Sequence, residues 1–289
     1  MRAPLHPAWV WLPPCAMLAA LSLILASGGN RALFLRLNHA GPAIGGLAWP
    51  HLSLLGDGAI ALAFVLPCIR RAPRCFWAAL AALAIAGLWA AAGRQLLGLP
   101  SPRAVFDAGA FSYAGAAGSQ SAFLSAHAAA ASALAGVGLM GLAGNNMVRA
   151  ALLLLAALAG LSRVMLGVQW PVGVLWDWLG GWLGAWTGLA MAGRWGWRTS
   201  GRAGLLAGVV LAGLSAGLLV RPLDSSLAAI PAAVPLQRLI AGACLVWGMW
   251  EMVTMQPRFS TWRMQRWRRW RRAGPGGKGG VIKRRATDG

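Results

Sequence analysis

Long apolar stretches separated by short polar turns dominate this chain. Runs at 9–27, 52–69, 76–93, 126–143, 147–161, 171–192, 204–220 and 233–254 are almost free of charged side chains. Most approach or exceed the ~20 residues that carry a helix across a bilayer, and 147–161 is the shortest. The pattern predicts an all-α fold, a polytopic transmembrane bundle of about eight spans. Residues 10–27 share some features of a secretory leader, with Arg2 ahead of the run and "ASGGN" after it, but the small-residue match is loose. The first run is read as an uncleaved span.

Composition sharpens this picture. The chain is 58% hydrophobic and only 11% charged, against roughly 25% charged in soluble domains. Its 39 glycines would be odd in a soluble helical protein, but small residues let membrane helices pack closely. Tryptophans gather near the ends of runs, where interfacial anchors sit.

The net charge of +20 suggests nucleic-acid binding until its distribution is considered. Eleven of the 26 basic residues follow Met255, in a tail where Trp262, Trp267 and Trp270 alternate with arginines. Most others lie at the ends of apolar runs. That arrangement suits topology and anionic lipid headgroups at the tail, and no nucleic acid is expected. With the N-terminus placed in the cytoplasm, nineteen basic residues fall inside and seven outside. The tail carries most of this bias. The expected location is a bacterial-type cytoplasmic membrane, with both termini inside.

Two segments then face outward together, 94–125 and 162–170. The first leads into His127, the only ionisable residue of "LSAHAAAASALAG". The second contains Arg163. An arginine beside apolar helices needs a partner or water, and the chain has only six acidic residues to offer. A bound phosphate would also serve. Cys15, Cys68, Cys75 and Cys244 form no CxxC pair, so neither a zinc site nor a disulfide framework is indicated, and no cofactor is expected. Asp177 and Glu251 are the main charges within the runs, which gives little support to ion-coupled transport. Glu251 reads as an interfacial residue or a partner to a tail arginine.

Residues 30–192 resemble the type 2 phosphatidic acid phosphatases, the PAP2 membrane branch of the superfamily that includes vanadium haloperoxidases. "LFLRLNHAG" at 33–41 and "LLGDGAI" at 54–60 resemble early segments of that family. Its first motif, a lysine, six intervening residues, then arginine-proline, aligns with "RQLLGLPSP". Arg94 stands for the lysine and Ser101 for the arginine, before Pro102; Arg103 is displaced by two positions. The second motif, proline-serine-glycine-histidine, aligns with Leu124, Ser125, Ala126 and His127. The third keeps Ser162 and Arg163, but Gln169 holds the position of its histidine and Gly173 that of its aspartate.

The resemblance implies a six-helix core with two added C-terminal spans: core 1–192, further helices 193–254, and a basic tail 255–289. It also implies phosphohistidine chemistry, in which the third-motif histidine attacks phosphorus and the second-motif histidine protonates the leaving alcohol. His127 would be that acid. Arg94, Ser101, Ser125, Ser162 and Arg163 would surround the phosphoryl group, near a helix start whose N–H groups favour anions. Gln169 breaks the scheme, because a carboxamide is a very poor nucleophile. Asp177 is one turn deeper than Gly173. It lies about 12 Å of helix rise from Gln169 and is expected to be out of reach. The resemblance therefore implies a family-fold protein without the family's phosphatase chemistry, binding phospholipid or polyprenyl phosphate headgroups or assisting another membrane protein. The alternative is an active phosphatase on phosphatidate, phosphatidylglycerol phosphate or a polyprenyl diphosphate, with His127 as nucleophile or activating water.

Overall fold

A computed structural model describes residues 6–46, 48–98, 100–107, 109–114, 126–195, 199, 201–220 and 233–255. The basic tail and Ser125 lie outside these residues. The regular elements among the described residues are all helices. Helix α1 (Ala8–Ser27) is followed by α2 (Asn30–Gly45), α3 (Ala48–Leu54), α4 (Gly58–Val65), α5 (Cys68–Arg71) and α6 (Pro73–Leu97). Then come α7 (Pro102–Val105), α8 (His127–Val137) with a π turn (Gly138–Leu142), α9 (Asn146–Met165), α10 (Pro171–Trp195), α11 (Arg202–Val220) and α12 (Val234–Met255).

Helices α1, α6, α9 and α11 are long and apolar enough to cross a bilayer, and α3 with α4 makes a fifth candidate, bent by 57°. Helix α8 with its π turn is apolar but shorter. Helix α10 is diluted by glycine and tryptophan, and α12 carries Arg238 and Glu251. The outer surface is greasy: Leu18 and Leu23 of α1, Leu154 of α9, Leu206 and Val210 of α11, and Val246 of α12 are all exposed. Such a surface fits hydrocarbon, and helices satisfy every backbone group there without water. The chain is a multi-pass membrane protein.

Helix α10 forms the axis of the bundle, and its glycines explain why. A Cβ at Gly184 would fall 2.8 Å from the carbonyl oxygen of Ala82 on α6, and one at Gly181 would press on the α8 backbone at Ala129. Gly188 similarly abuts Ala78. Without side chains at these positions, α6 and α8 lie directly against α10. Trp89 of α6 stacks on Trp176 of α10, with centroids 4.7 Å apart. At the opposite end, Arg74 donates to the Leu189 carbonyl at 3.4 Å. Helices α6 and α10 are therefore antiparallel. The C-termini of α6 and α9 meet the N-termini of α8 and α10 at one end of the bundle.

Three features depart from the sequence reading. Residues 30–45, to which no apolar run was assigned, form a helix, α2, which buries Phe34, Asn38 and Gly41. The apolar run at 52–69 is not one continuous helix. It breaks at Gly56–Asp57, because the Asp57 carboxylate accepts from the N–H groups of Ala59 (2.8 Å) and Ile60 (3.3 Å) and starts α4 afresh. Glu251, read as interfacial or as a partner to a tail arginine, finds its described partners on α5 instead. It is fully buried and pairs with Arg70 and Arg71, each at 2.6 Å, while the Trp247 indole donates to it at 3.1 Å. This pairing docks α12 on α5.

Candidate functional site

The break between α3 and α4 brings a carboxylate to the start of α8. His127 is the first residue of α8, and its Nε2 lies 3.5 Å from Asp57 Oδ2 without forming a hydrogen bond. The approach is close because residue 56 is glycine: a Cβ there would fall 2.5 Å from the His127 carbonyl oxygen. Ser53, in the last turn of α3, completes this corner.

Arg163 enters from the last turn of α9 and is 1% exposed. Its Nη1 donates to Ser53 Oγ at 2.9 Å, while its Nε has no partner among the described residues. Asp57 and Asp177 lie within its electrostatic reach. Among the described residues, however, no carboxylate comes within ion-pair distance of it. Helix α9 ends immediately afterwards. Gly167 adopts a φ of 74°, and the N–H groups of Val168 and Gln169 both return to the Arg163 carbonyl, at 3.0 and 3.2 Å. The reversal sets residue 169 beside residue 163.

Asn38 fixes that turn. Its Nδ2 donates to the carbonyls of Ser112 (2.8 Å) and Met165 (3.0 Å), and its Oδ1 accepts from the Ser112 N–H at 2.8 Å. A cluster of Phe34, Phe106, Phe111 and Trp170 packs over the same end. The Trp170 indole donates to the Pro100 carbonyl at 2.7 Å, tying the segment after α6 to the start of α10.

Here the structure corrects the expectation for Asp177. Gln169 Nε2 donates to Asp177 Oδ2 at 2.6 Å. The helix-rise argument fails because α10 begins only at Pro171. Gln169 precedes the helix, and its side chain folds back along the first turns. Gly173 makes this possible: a Cβ there would sit 3.3 Å from Gln169 Nε2. An absent side chain at 173 and a carboxylate one turn deeper thus act together.

The remaining motif positions are less convergent. Arg94, in the last turn of α6, is half-buried and within electrostatic reach of Asp177. Ser101 begins α7 without capping it. The displaced Arg103 does not stand in for the missing arginine; it is exposed and lies over the Tyr113 ring, 4.4 Å from its centroid. Ser162 is buried and donates to the Ala159 carbonyl of its own helix at 2.6 Å, so its hydroxyl is occupied there. Ser53, Asp57, Tyr113 and Asn38 were not singled out as site residues. A lone acid flanked by glycines in an apolar run, as in "LLGDGAI", was the available signal for Asp57.

Several buried polar atoms at this end lack partners among the described residues: Tyr113 Oη, His127 Nε2, Arg163 Nε and Gln169 Oε1. Such atoms are costly to leave unpaired. Deeper in the bundle lies an apolar cavity of about 310 Å³, whose lining includes Leu55, Ala131, Gly138, Leu152 and Ala159. Ala131 is one turn below His127 and Ala159 one turn below Arg163, on the same helix faces. Leu55 is two residues before Asp57. The polar cluster and the apolar cavity are therefore stacked.

Residues 75–197 match the family model described as the PAP2 superfamily. No curated protein and no solved structure matches the chain.

Proposed function

We propose that this chain, whose residues 75–197 match the PAP2 superfamily, binds lipid phosphates at the Arg163–His127 end of the bundle without forming a phosphohistidine. The observation carrying this reading is the Gln169–Asp177 hydrogen bond of 2.6 Å. Where the resemblance calls for an attacking imidazole, a carboxamide is held in place by the Asp177 carboxylate. A carboxamide has no basic lone pair near neutrality, so no covalent intermediate forms on it. Binding survives because Arg163 is a buried guanidinium with an unpartnered Nε and no ion pair among the described residues. A phosphoryl oxygen suits it well. The hydrocarbon part of the ligand would occupy the cavity one turn below.

In this reading residues 1–192 are the binding core, the helices of 193–254 are an addition to it, and the tail 255–289 meets anionic headgroups on the cytoplasmic face. The site then opens to the periplasm. A second reading draws on the closeness of His127 and Asp57 at 3.5 Å. An imidazole beside a carboxylate has the makings of a base that activates water on a lipid phosphate or diphosphate.

Phosphate release from phosphatidate, phosphatidylglycerol phosphate and a polyprenyl diphosphate separates the two. The purified wild type should release none. Gln169→His should gain activity on its own, because Asp177 already stands where it would accept from the new ring. Adding Gly173→Asp should bring no further gain, since even a Cβ at 173 crowds the residue-169 side chain. Release by the wild type that is lost in His127→Ala would establish the second reading.

A further inference from the structure

The end of the bundle away from Arg163 has a cavity of its own. It encloses about 390 Å³ between α1, α6, α10 and the π turn, and its lining includes Val10, Met140, Gly141, Trp186 and Leu189. Gly141 keeps it open: a Cβ there would fall 2.6 Å from Cys75 Sγ and 3.4 Å from the Leu189 side chain. The lining is apolar apart from one charged residue, Arg74.

Arg74 is exposed, in the first turn of α6. Its guanidinium lies against the α10 backbone, where a Cβ at Gly193 would come within 2.9 Å of Nη2. Its one hydrogen bond among the described residues runs from Nη2 to the Leu189 carbonyl at 3.4 Å, a long contact for such a bond. No described carboxylate comes within ion-pair distance of it. Nor is one to spare. Arg70, Arg71, Arg74, Arg149 and Arg194 all lie at this end, and the described carboxylate there, Glu251, already holds Arg70 and Arg71. The counter-charge for Arg74 must come from outside these helices. On α10 the Gly193 level, where the guanidinium rests, is about 10 Å of helix rise from Trp186. The charge therefore stands at the outer end of the cavity, and the apolar lining leads inward. Trp186 meets Trp11 edge-on, with centroids 5.8 Å apart, and indoles favour the headgroup level of a bilayer.

We propose that this cavity holds one acyl chain of an anionic phospholipid, of the phosphatidylglycerol class, with its phosphate on Arg74. The site lies at the far end of α6 from Arg163 and does not depend on the function proposed above. A phosphate oxygen suits the free guanidinium donors, and the chain fills space too apolar to hold water well. A zwitterionic phospholipid brings the same phosphate with a cation of its own, which competes with Arg74. The site therefore prefers a headgroup of net negative charge.

The test uses the full chain in detergent with a few equivalents of a phosphatidylglycerol that carries a diazirine in one acyl chain. Illumination should label Met140 and Leu189 in preference to Leu206 and Val210, which are exposed on α11. Unlabelled phosphatidylglycerol should compete about tenfold better than phosphatidylcholine with the same chains, the worth of a charge-assisted contact. Arg74→Gln should bring that ratio to about one. Arg194→Gln removes the same charge at the same end but outside the cavity, and should leave the ratio near tenfold. Ala190→Trp fills the groove while keeping the arginine. It should remove the label from Met140 and Leu189, and it keeps the test available if Arg74→Gln fails to fold. Label no stronger in the cavity than on α11, or equal competition by the two lipids in the wild type, would overturn the proposal. So would a ratio that survives in Arg74→Gln or falls equally in Arg194→Gln, or label on Met140 and Leu189 that survives in Ala190→Trp.

Discussion

At the scale of single residues, Arg163 poses the sharpest energetic question. Burying a charge costs several kcal/mol unless contacts offset it. Here the contacts are the Ser53 hydroxyl at 2.9 Å and two carboxylates beyond ion-pair distance. A guanidinium kept for stability alone would be expected to hold a close ion pair. Replacing Arg163 with methionine should therefore leave the thermal midpoint unchanged or raised, while decyl phosphate affinity falls about a hundredfold, the worth of a charge-assisted contact. A midpoint lowered by many degrees with affinity retained would make Arg163 a structural residue. Arg163 and His127 were legible in the sequence because their spacing within two motifs is local. Asp177 was misjudged for a physical reason: helix rise predicts distance only between residues that share a helix, and Gln169 stands outside α10.

At the scale of elements, the site depends on places where helices stop. Asp57 restarts a helix inside an apolar run, Gly167 reverses the chain after α9, and Asn38 ties α2 to both the 109–114 segment and the end of α9. Apolar periodicity reports where helices run, not where they break, so the runs were readable and the breaks were not. Helix α2 was not among the predicted runs because Asn30, Arg31, Arg36, Asn38 and His39 interrupt its apolar positions. Gly56 offers a direct check. The α3–α4 break approaches the His127 backbone so closely that Gly56→Ala must push the start of α8 away. The substitution should destabilise the protein by about 1–3 kcal/mol, as overpacking does. It should also weaken anion binding. A thermal midpoint equal to that of the wild type would mean that the two backbones are not in contact.

At the scale of the whole molecule, charge is sorted to the two ends of a greasy bundle. Arg70, Arg71 and Glu251 lock α5 to α12 at one end, while Asp57, His127, Arg163 and Asp177 gather at the other. Helix α6 spans most of the separation, about 37 Å for its 25 residues. The class of fold followed from composition and run length alone. The docking of α12 did not, because Arg70 and Glu251 are 181 residues apart and nothing local links them. The central claim concerns the other end: an anion is held there and no bond forms between phosphorus and the protein. The most direct measurement is to incubate the purified full chain with ³²P-labelled decyl phosphate, quench in alkali, which preserves phosphohistidine, and count label on the protein. The wild type should carry none, and Gln169→His should carry label that acid removes. Label on the wild type, lost in His127→Ala, would contradict the account.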